Sequence, residues 1–182
     1  MEIIKTPIPD LLIIQPRIFK DERGYFYESW NKKSFNAAGI ENEFVQDNES
    51  QSSKGVVRGL HYQLAPYSQA KLVRVLSGSV LDVAVDLRKN SPTFGQWHSV
   101  ELTEENKLMF FVPRGFAHGF AVLSDKAVFA YKCDNIYHPA SERGIHPFDK
   151  ALDIDWKTDP VNAILSPKDS IAPVFSDAEF NF

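Results

Sequence analysis

A chain of 182 residues suffices for one domain spanning residues 1–182, able to bury roughly two-thirds of the surface its unfolded form exposes. A formal net charge of −4 and a pI near 5.7 supply no bulk attraction for nucleic acid or an anionic membrane, so phosphate has to be held by a few local cations. Cys133 is the single cysteine, which excludes an internal disulfide and any multi-cysteine metal site and fits a reducing cytoplasm.

The N-terminus, Met1 to Pro7, has a short apolar patch followed by proline, which predicts neither a secretory signal nor a membrane span. Leu11–Ile14 and Tyr25–Trp30 read as short strands on either side of the turn Asp21-Glu22-Arg23-Gly24. Asn31–Ala38, stopped by Gly39, predicts one short helix. From Val56 to Tyr131 the chain is a succession of short β-rich runs: Val56-Val57, Leu72–Leu76, Val80–Leu87, Trp97–Leu102, Lys107–Val112 and Ala127–Tyr131. Ser77-Gly78-Ser79, Asn90-Ser91-Pro92 and Pro113-Arg114-Gly115 punctuate them. Short strands with such turns and almost no helical period indicate an all-β sandwich or barrel. The clearest alternation, Leu81 to Leu87, puts leucines and valines on one face and Asp82, Ala84 and Asp86 on the other. Beyond about Pro139 the sequence turns Asp-, Pro- and Ser-rich, which predicts loops and short helical turns packed over one end of the barrel. The 14 Phe, 6 Tyr and 3 Trp exceed what a small core requires and suggest stacking sites or an aromatic interface.

Two segments set imidazoles and cations among aromatic and β-branched residues: Arg58-Gly59-Leu60-His61-Tyr62-Gln63, followed by Lys71, and Pro113 to Phe120 with His118. His61 shares a face with Gln63 on a regular strand, and two readings stand for it: a core histidine bonded to backbone, or a member of a pocket. Lys71 and His118 fit a core poorly, because charged side chains are rarely buried unpaired. Arg23 and Arg58 read either as exposed cations or as a clamp for a diphosphate, whose oxygens the guanidinium fork matches. A metal site is disfavoured: Gln63 stands where a second, closely spaced histidine would be needed, and His61 with His118 are too few ligands. No Walker loop, dinucleotide fingerprint or Gly-x-Ser-x-Gly elbow occurs. Arg58 and His61 are an odd number of residues apart, so both reach one pocket only if a bulge or strand start intervenes near Gly59.

Longer strings narrow the choice. Asp21 to Glu28, Gln46-Asp47-Asn48, Arg58 to Gln63, Lys71 to Val75, Asp82 to Arg88, Ser91 to Gly95, Gly115 to Phe120, Tyr131-Lys132-Cys133 and Leu165 to Asp169 resemble the dTDP-4-dehydrorhamnose 3,5-epimerase family over nearly the whole chain. The resemblance implies a cupin-type jelly roll (a double-stranded β-helix) with a few short helices, a homodimer, and no metal or organic cofactor; the charge and the single cysteine point to a cytoplasmic protein with no nucleic-acid or membrane partner. It implies conversion of dTDP-4-dehydro-6-deoxy-D-glucose to dTDP-4-dehydro-L-rhamnose through enolates at C3 and C5. By the same resemblance His61 is the general base, Asp169 the carboxylate that orients it, Lys71 the partner of the C4 oxygen and Tyr131 the acid. Arg23, Glu28, Gln46, Asn48, Arg58, Gln63, His118, Glu142 and Lys168 are assigned to the nucleotide sugar, with Phe26 or Tyr137 stacking on thymine. One stretch departs from the family pattern: His146-Pro147-Phe148-Asp149 stands where a tryptophan and acidic residues are expected, beside Glu142 at the nucleotide end. The competing readings are an epimerase that inverts one carbon only, a non-catalytic jelly-roll sugar-binding module, and a metal-dependent cupin.

Overall fold

The computed structural model describes all 182 residues. Its larger sheet is built from β1 (Glu2–Lys5), β2 (Leu12–Gln15), β10 (Met109–Val112), β7 (Lys71–Ser77), β12 (Lys126–Cys133) and β5 (Gln46–Ser53), in that spatial order. The smaller sheet runs β13 (Glu142–Gly144), β6 (Val57–Gln63), β11 (Phe116–Val122), β8 (Ser79–Asp86) and β9 (Trp97–Thr103). All of these strands pair antiparallel. The two sheets face each other as a jelly roll. A separate hairpin, β3 (Phe19–Asp21) with β4 (Gly24–Phe26), stands outside both.

The core between the sheets takes Val73, Val75, Phe110, Val112 and Phe129 from one side and Val80, Ala84, Val100, Leu102, Phe116, Phe120 and Val122 from the other. On β8 the alternation read from the sequence is present, but both of its faces are buried. Val80 and Ala84 look into the barrel. Leu81, Val83, Val85 and Leu87 look outward and are covered by Ile145, Leu152 and Trp156 of the C-terminal segment. The tail therefore lies along the outer face of the smaller sheet, rather than over one end alone. That placement explains why Asp82 occupies the barrel interior: the more apolar face of β8 is claimed by the tail.

Gly78 carries the chain from β7 in one sheet to β8 in the other. Its φ is +78°, and an added Cβ would stand 2.1 Å from the Lys126 carbonyl oxygen, so no side chain fits that corner. The helix α1 (Lys32–Ala37) is capped by Asn31, whose Oδ1 accepts from Ser34 N, and the chain leaves it through Gly39 at φ +85°. Its Phe35 packs with Ile14, Leu72, Met109 and Phe111 on the outer face of the larger sheet.

Several elements differ from the sequence expectation. The run Tyr25–Trp30 is extended in strand form only over Gly24–Phe26. The strand expected from Lys107 begins at Met109, because Lys107 sits at φ +53°. Two edge strands carried no readable signal: β1 and the wholly polar β5. β5 forms because every residue from Gln46 to Ser53 pairs with β12. An edge strand of this kind needs main-chain bonding on one side, not apolar alternation.

Candidate active site

Side chains from both sheets converge on a cavity of 150 Å³ lined by Ser50 on β5, Arg58 and His61 on β6, Lys71 on β7, His118 on β11, and Phe129 and Tyr131 on β12. Arg58 and His61 share it because β6 is bulged. His118 pairs with His61 and Phe120 with Arg58, so three steps along β6 match two along β11. The irregularity falls at Gly59, as the odd spacing required. Gly59 has φ +120°, and a Cβ there would lie 2.6 Å from Gly119 Cα.

His61 Nε2 meets Asp169 Oδ1 at 2.5 Å. Asp169 sits in α2 (Pro167–Ser170), whose cap Ser166 accepts from the Asp169 N–H at 3.1 Å. Burial opposes the Asp169 charge, yet hydrogen bonds from His61, the Ser166 hydroxyl and the Gly59 backbone N–H outweigh it and hold the carboxyl below its ordinary range. A carboxylate on Nε2 keeps the proton there and leaves the Nδ1 lone pair as the base. Lys71 makes no ion pair within the protein, and its Nζ lies 5.8 Å from the centre of the Tyr131 ring. Burial lowers the Lys71 pKa from its usual range, with Asp82 and Glu142 among the groups opposing the shift. Burial likewise raises Tyr131, which keeps its phenol protonated and able to donate. His118 is tied by Nε2 to Asp82 Oδ1 at 2.8 Å. Arg58 donates from Nε to Ser52 Oγ at 3.0 Å.

At one edge of this cavity a polar rim carries most of the remaining expected residues. Glu142 accepts from Lys168 Nζ at 2.7 Å and from the Tyr137 hydroxyl at 2.9 Å. Tyr137 N donates to Gln46 Oε1 at 2.9 Å, and Gln46 Nε2 to Asn48 Oδ1 at 3.0 Å. Burial opposes the Glu142 charge, but Lys168 and Tyr137 hold it below the usual carboxylate range. A second cavity of 200 Å³ includes Glu142, Lys168, Asp169 and His61, so His61 forms the wall between the two hollows.

Four expected residues are placed elsewhere. Gln63 is buried with its amide committed to backbone: it donates to Tyr67 O at 2.6 Å and Ile136 O at 3.3 Å, and accepts from His138 N at 2.7 Å. It ties two loops together and has no donor to spare for a ligand. Arg23, Phe26 and Glu28 do not reach the cavity of their own chain. Arg23 pairs with Asp21 at 2.6 Å on the exposed hairpin, Phe26 is 68% exposed, and Glu28 accepts from Asn31 Nδ2 at 2.9 Å. The hairpin leans on the outer side of the larger sheet, where Arg74 donates to the Tyr27 hydroxyl at 3.1 Å. Ser50, Ser52 and Asp82 also stand at the site, as a lining residue, the partner of Arg58 and the partner of His118, and none was expected there. For Asp82 a signal existed, since it shares a face with Ala84 on β8. For the serines, on a polar edge strand, none did.

No group of three or more His, Cys, Asp or Glu side chains is gathered to hold a metal ion. No helix is long and apolar enough to cross a membrane.

Known proteins are similar to this chain in sequence and shape. The family model described as dTDP-4-dehydrorhamnose 3,5-epimerase matches residues 5–177. The dTDP-4-dehydrorhamnose 3,5-epimerase of Shigella flexneri is 56% identical over 181 residues, covering 99% of each chain. A crystal structure of the enzyme of that name from Elizabethkingia anophelis superposes with a TM-score of 0.93 at 57% identity, covering 97% of both chains. The Legionella pneumophila dTDP-6-deoxy-D-glucose-3,5-epimerase, solved in complex with dTDP-4-keto-L-rhamnose, gives a TM-score of 0.93 at 55% identity, covering 97% of this chain and 93% of that one. Coverage from end to end at this identity, on a fold with a His–Asp pair, a lysine and a tyrosine around one cavity, places the chain in the dTDP-4-dehydrorhamnose 3,5-epimerase family.

Proposed function

We propose that the protein inverts C3 and C5 of dTDP-4-dehydro-6-deoxy-D-glucose to give dTDP-4-dehydro-L-rhamnose, as a cytoplasmic enzyme of one domain. The observation that supports this is that His61 and Tyr131, read as base and acid, stand on opposite walls. His61 comes from the smaller sheet and Tyr131 from the larger, with Lys71 beside Tyr131. Both target carbons flank the C4 ketone. His61 Nδ1 takes the proton, the C–H electron pair moves into a C–C double bond, and the carbonyl pair moves onto the C4 oxygen. Lys71 Nζ stabilises that oxyanion, an effect typically worth about 2.7–4 kcal/mol for one preorganised donor. Tyr131 then delivers its phenolic proton to the opposite face of the same carbon. Exchange with solvent takes the proton from His61 and returns one to Tyr131, and repeating the cycle at the second carbon completes the conversion.

The rim of Gln46, Asn48, Tyr137, Glu142 and Lys168, together with Arg58, suits the nucleotide and diphosphate. Arg23, Phe26 and Glu28 fit the same ligand only if a second copy presents its hairpin to this cavity. The exposed Phe19, Tyr25 and Phe26 on that hairpin and the unpaired edge of β1 support a homodimer that does so.

The test is incubation of the 4-keto sugar nucleotide with the protein in deuterated water, read by NMR. Deuterium at both C3 and C5 with formation of the L-sugar is expected. Label at one carbon alone would mean a single-centre epimerase, and no label would mean a binding module.

A further inference from the structure

Asp82 plays no part in the steps above, yet its side chain is 0% exposed beside the cavity. Oδ1 receives His118 Nε2 at 2.8 Å. Oδ2 has no hydrogen-bond partner, the single buried side-chain polar atom of the chain left in that state. A carboxyl so placed is costly to the fold, and an apolar residue would fill the barrel interior at less cost. Burial pushes its pKa up, opposed by His118 and Lys71.

The surroundings of Lys71 show what the carboxyl does there. Besides the cavity histidines and Arg58, Lys71 lies beside Tyr131 and Cys133 on β12, and the charges of Glu142 on β13, Lys168 on α2 and Asp82 on β8 act on it. Tyr131 is a neutral phenol, and the Cys133 thiol, pushed up to about 11 by burial, is neutral as well. Glu142 is bonded to Lys168 at 2.7 Å, so their charges cancel at a distance. Asp169 is taken by His61. Asp82 differs from Asp169 in keeping one oxygen, Oδ2, without a partner while Oδ1 holds His118, which makes it the carboxyl left to balance Lys71, a residue with no ion pair of its own. The same carboxyl holds His118 by Nε2 and leaves Nδ1, which makes no bond within the protein, for a ligand.

We propose that Asp82 is a positioning residue for the epimerisation. It fixes His118 with Nδ1 presented to the sugar, and it is the counter-charge that keeps Lys71 cationic opposite the developing C4 oxyanion. The proposal deepens the function given above and rests on it.

The experiment compares wild type, D82N, K71M and the double variant, with dTDP binding and thermal unfolding measured alongside turnover of the 4-keto sugar nucleotide across pH. D82N keeps shape and an acceptor for His118 while removing the charge. Its dTDP affinity should stay within about twofold, while kcat falls on the order of 10- to 100-fold with KM little changed. Lys71 must be charged to act and is deprotonated as pH rises, so removing its counter-charge should move the alkaline limb of kcat to lower pH. The double variant should lose far less than the product of the single losses. Should D82N fail to fold, D82S removes the charge without adding volume and carries the same expectation. Wild-type kcat and pH profile in D82N, with only the unfolding temperature altered, would overturn the proposal, as would losses that simply multiply. Absence of turnover by the wild type would overturn the proposed function itself, and is thereby distinguishable.

Discussion

The hydrogen bond between His61 and Asp169 decides which imidazole nitrogen can act as a base. Asp169 stays ionised because three donors outweigh its burial, and an ionised carboxylate at Nε2 leaves Nδ1 free of a proton. Asp169→Asn should therefore be severe although it removes almost no volume. Its amide can donate to Nε2, which puts the proton on Nδ1 and silences the base; losses of about 10⁴-fold in kcat accompany such tautomer errors in comparable pairs. Stopped-flow turnover with dTDP affinity as control checks this, and an Asp169→Asn variant within about tenfold of wild type would refute the tautomer argument. Neither the pairing of His61 with a residue 108 positions away nor the burial of Asp169 is deducible from spacing. The family resemblance named both residues; only the fold supplies the contact.

Among the elements, β6 shows how one glycine brings Arg58 and His61 into one cavity. Without the bulge at Gly59, Arg58 would turn away from the cavity and lie against the face that Val57, Leu60 and Tyr62 pack under the tail. Gly59→Ala meets a positive φ and a backbone contact at 2.6 Å. It should cost about 2–4 kcal/mol of stability, measured as a shifted denaturant midpoint at unchanged slope. This irregularity was legible before the structure, because the period of a strand forbids Arg58 and His61 on one face. The short strands Leu72–Leu76, Val80–Leu87 and Trp97–Leu102 were legible too, since apolar residues cluster there between turn formers. β5 was not: Gln46 to Ser53 contains no apolar residue, and its strand form comes from pairing with β12. Nor was the inward face of β8, because the segment that covers its outer face lies some seventy residues later and reads as loop.

At the scale of the molecule, the two sheets act as two walls, one bearing His61, the proposed base, and the other Lys71 and Tyr131, the proposed oxyanion donor and acid. The hairpin bearing Arg23 and Phe26 lies outside the barrel of its own chain, which argues for completion by a second copy. Light scattering at micromolar concentration should give twice the mass of 20.6 kDa; a monomer there would contradict the shared site. The two-wall arrangement itself is tested most directly by Tyr131→Phe in deuterated water, followed by NMR. Removing only the hydroxyl preserves the ring, so the fold should persist. His61 can still form the enolate and return a deuteron to the same face. The variant should accordingly wash deuterium into C3 and C5 of the D-sugar while accumulating little L-sugar. Wild-type formation of the L-sugar would show that another group is the acid, and would contradict the assignment of the two walls.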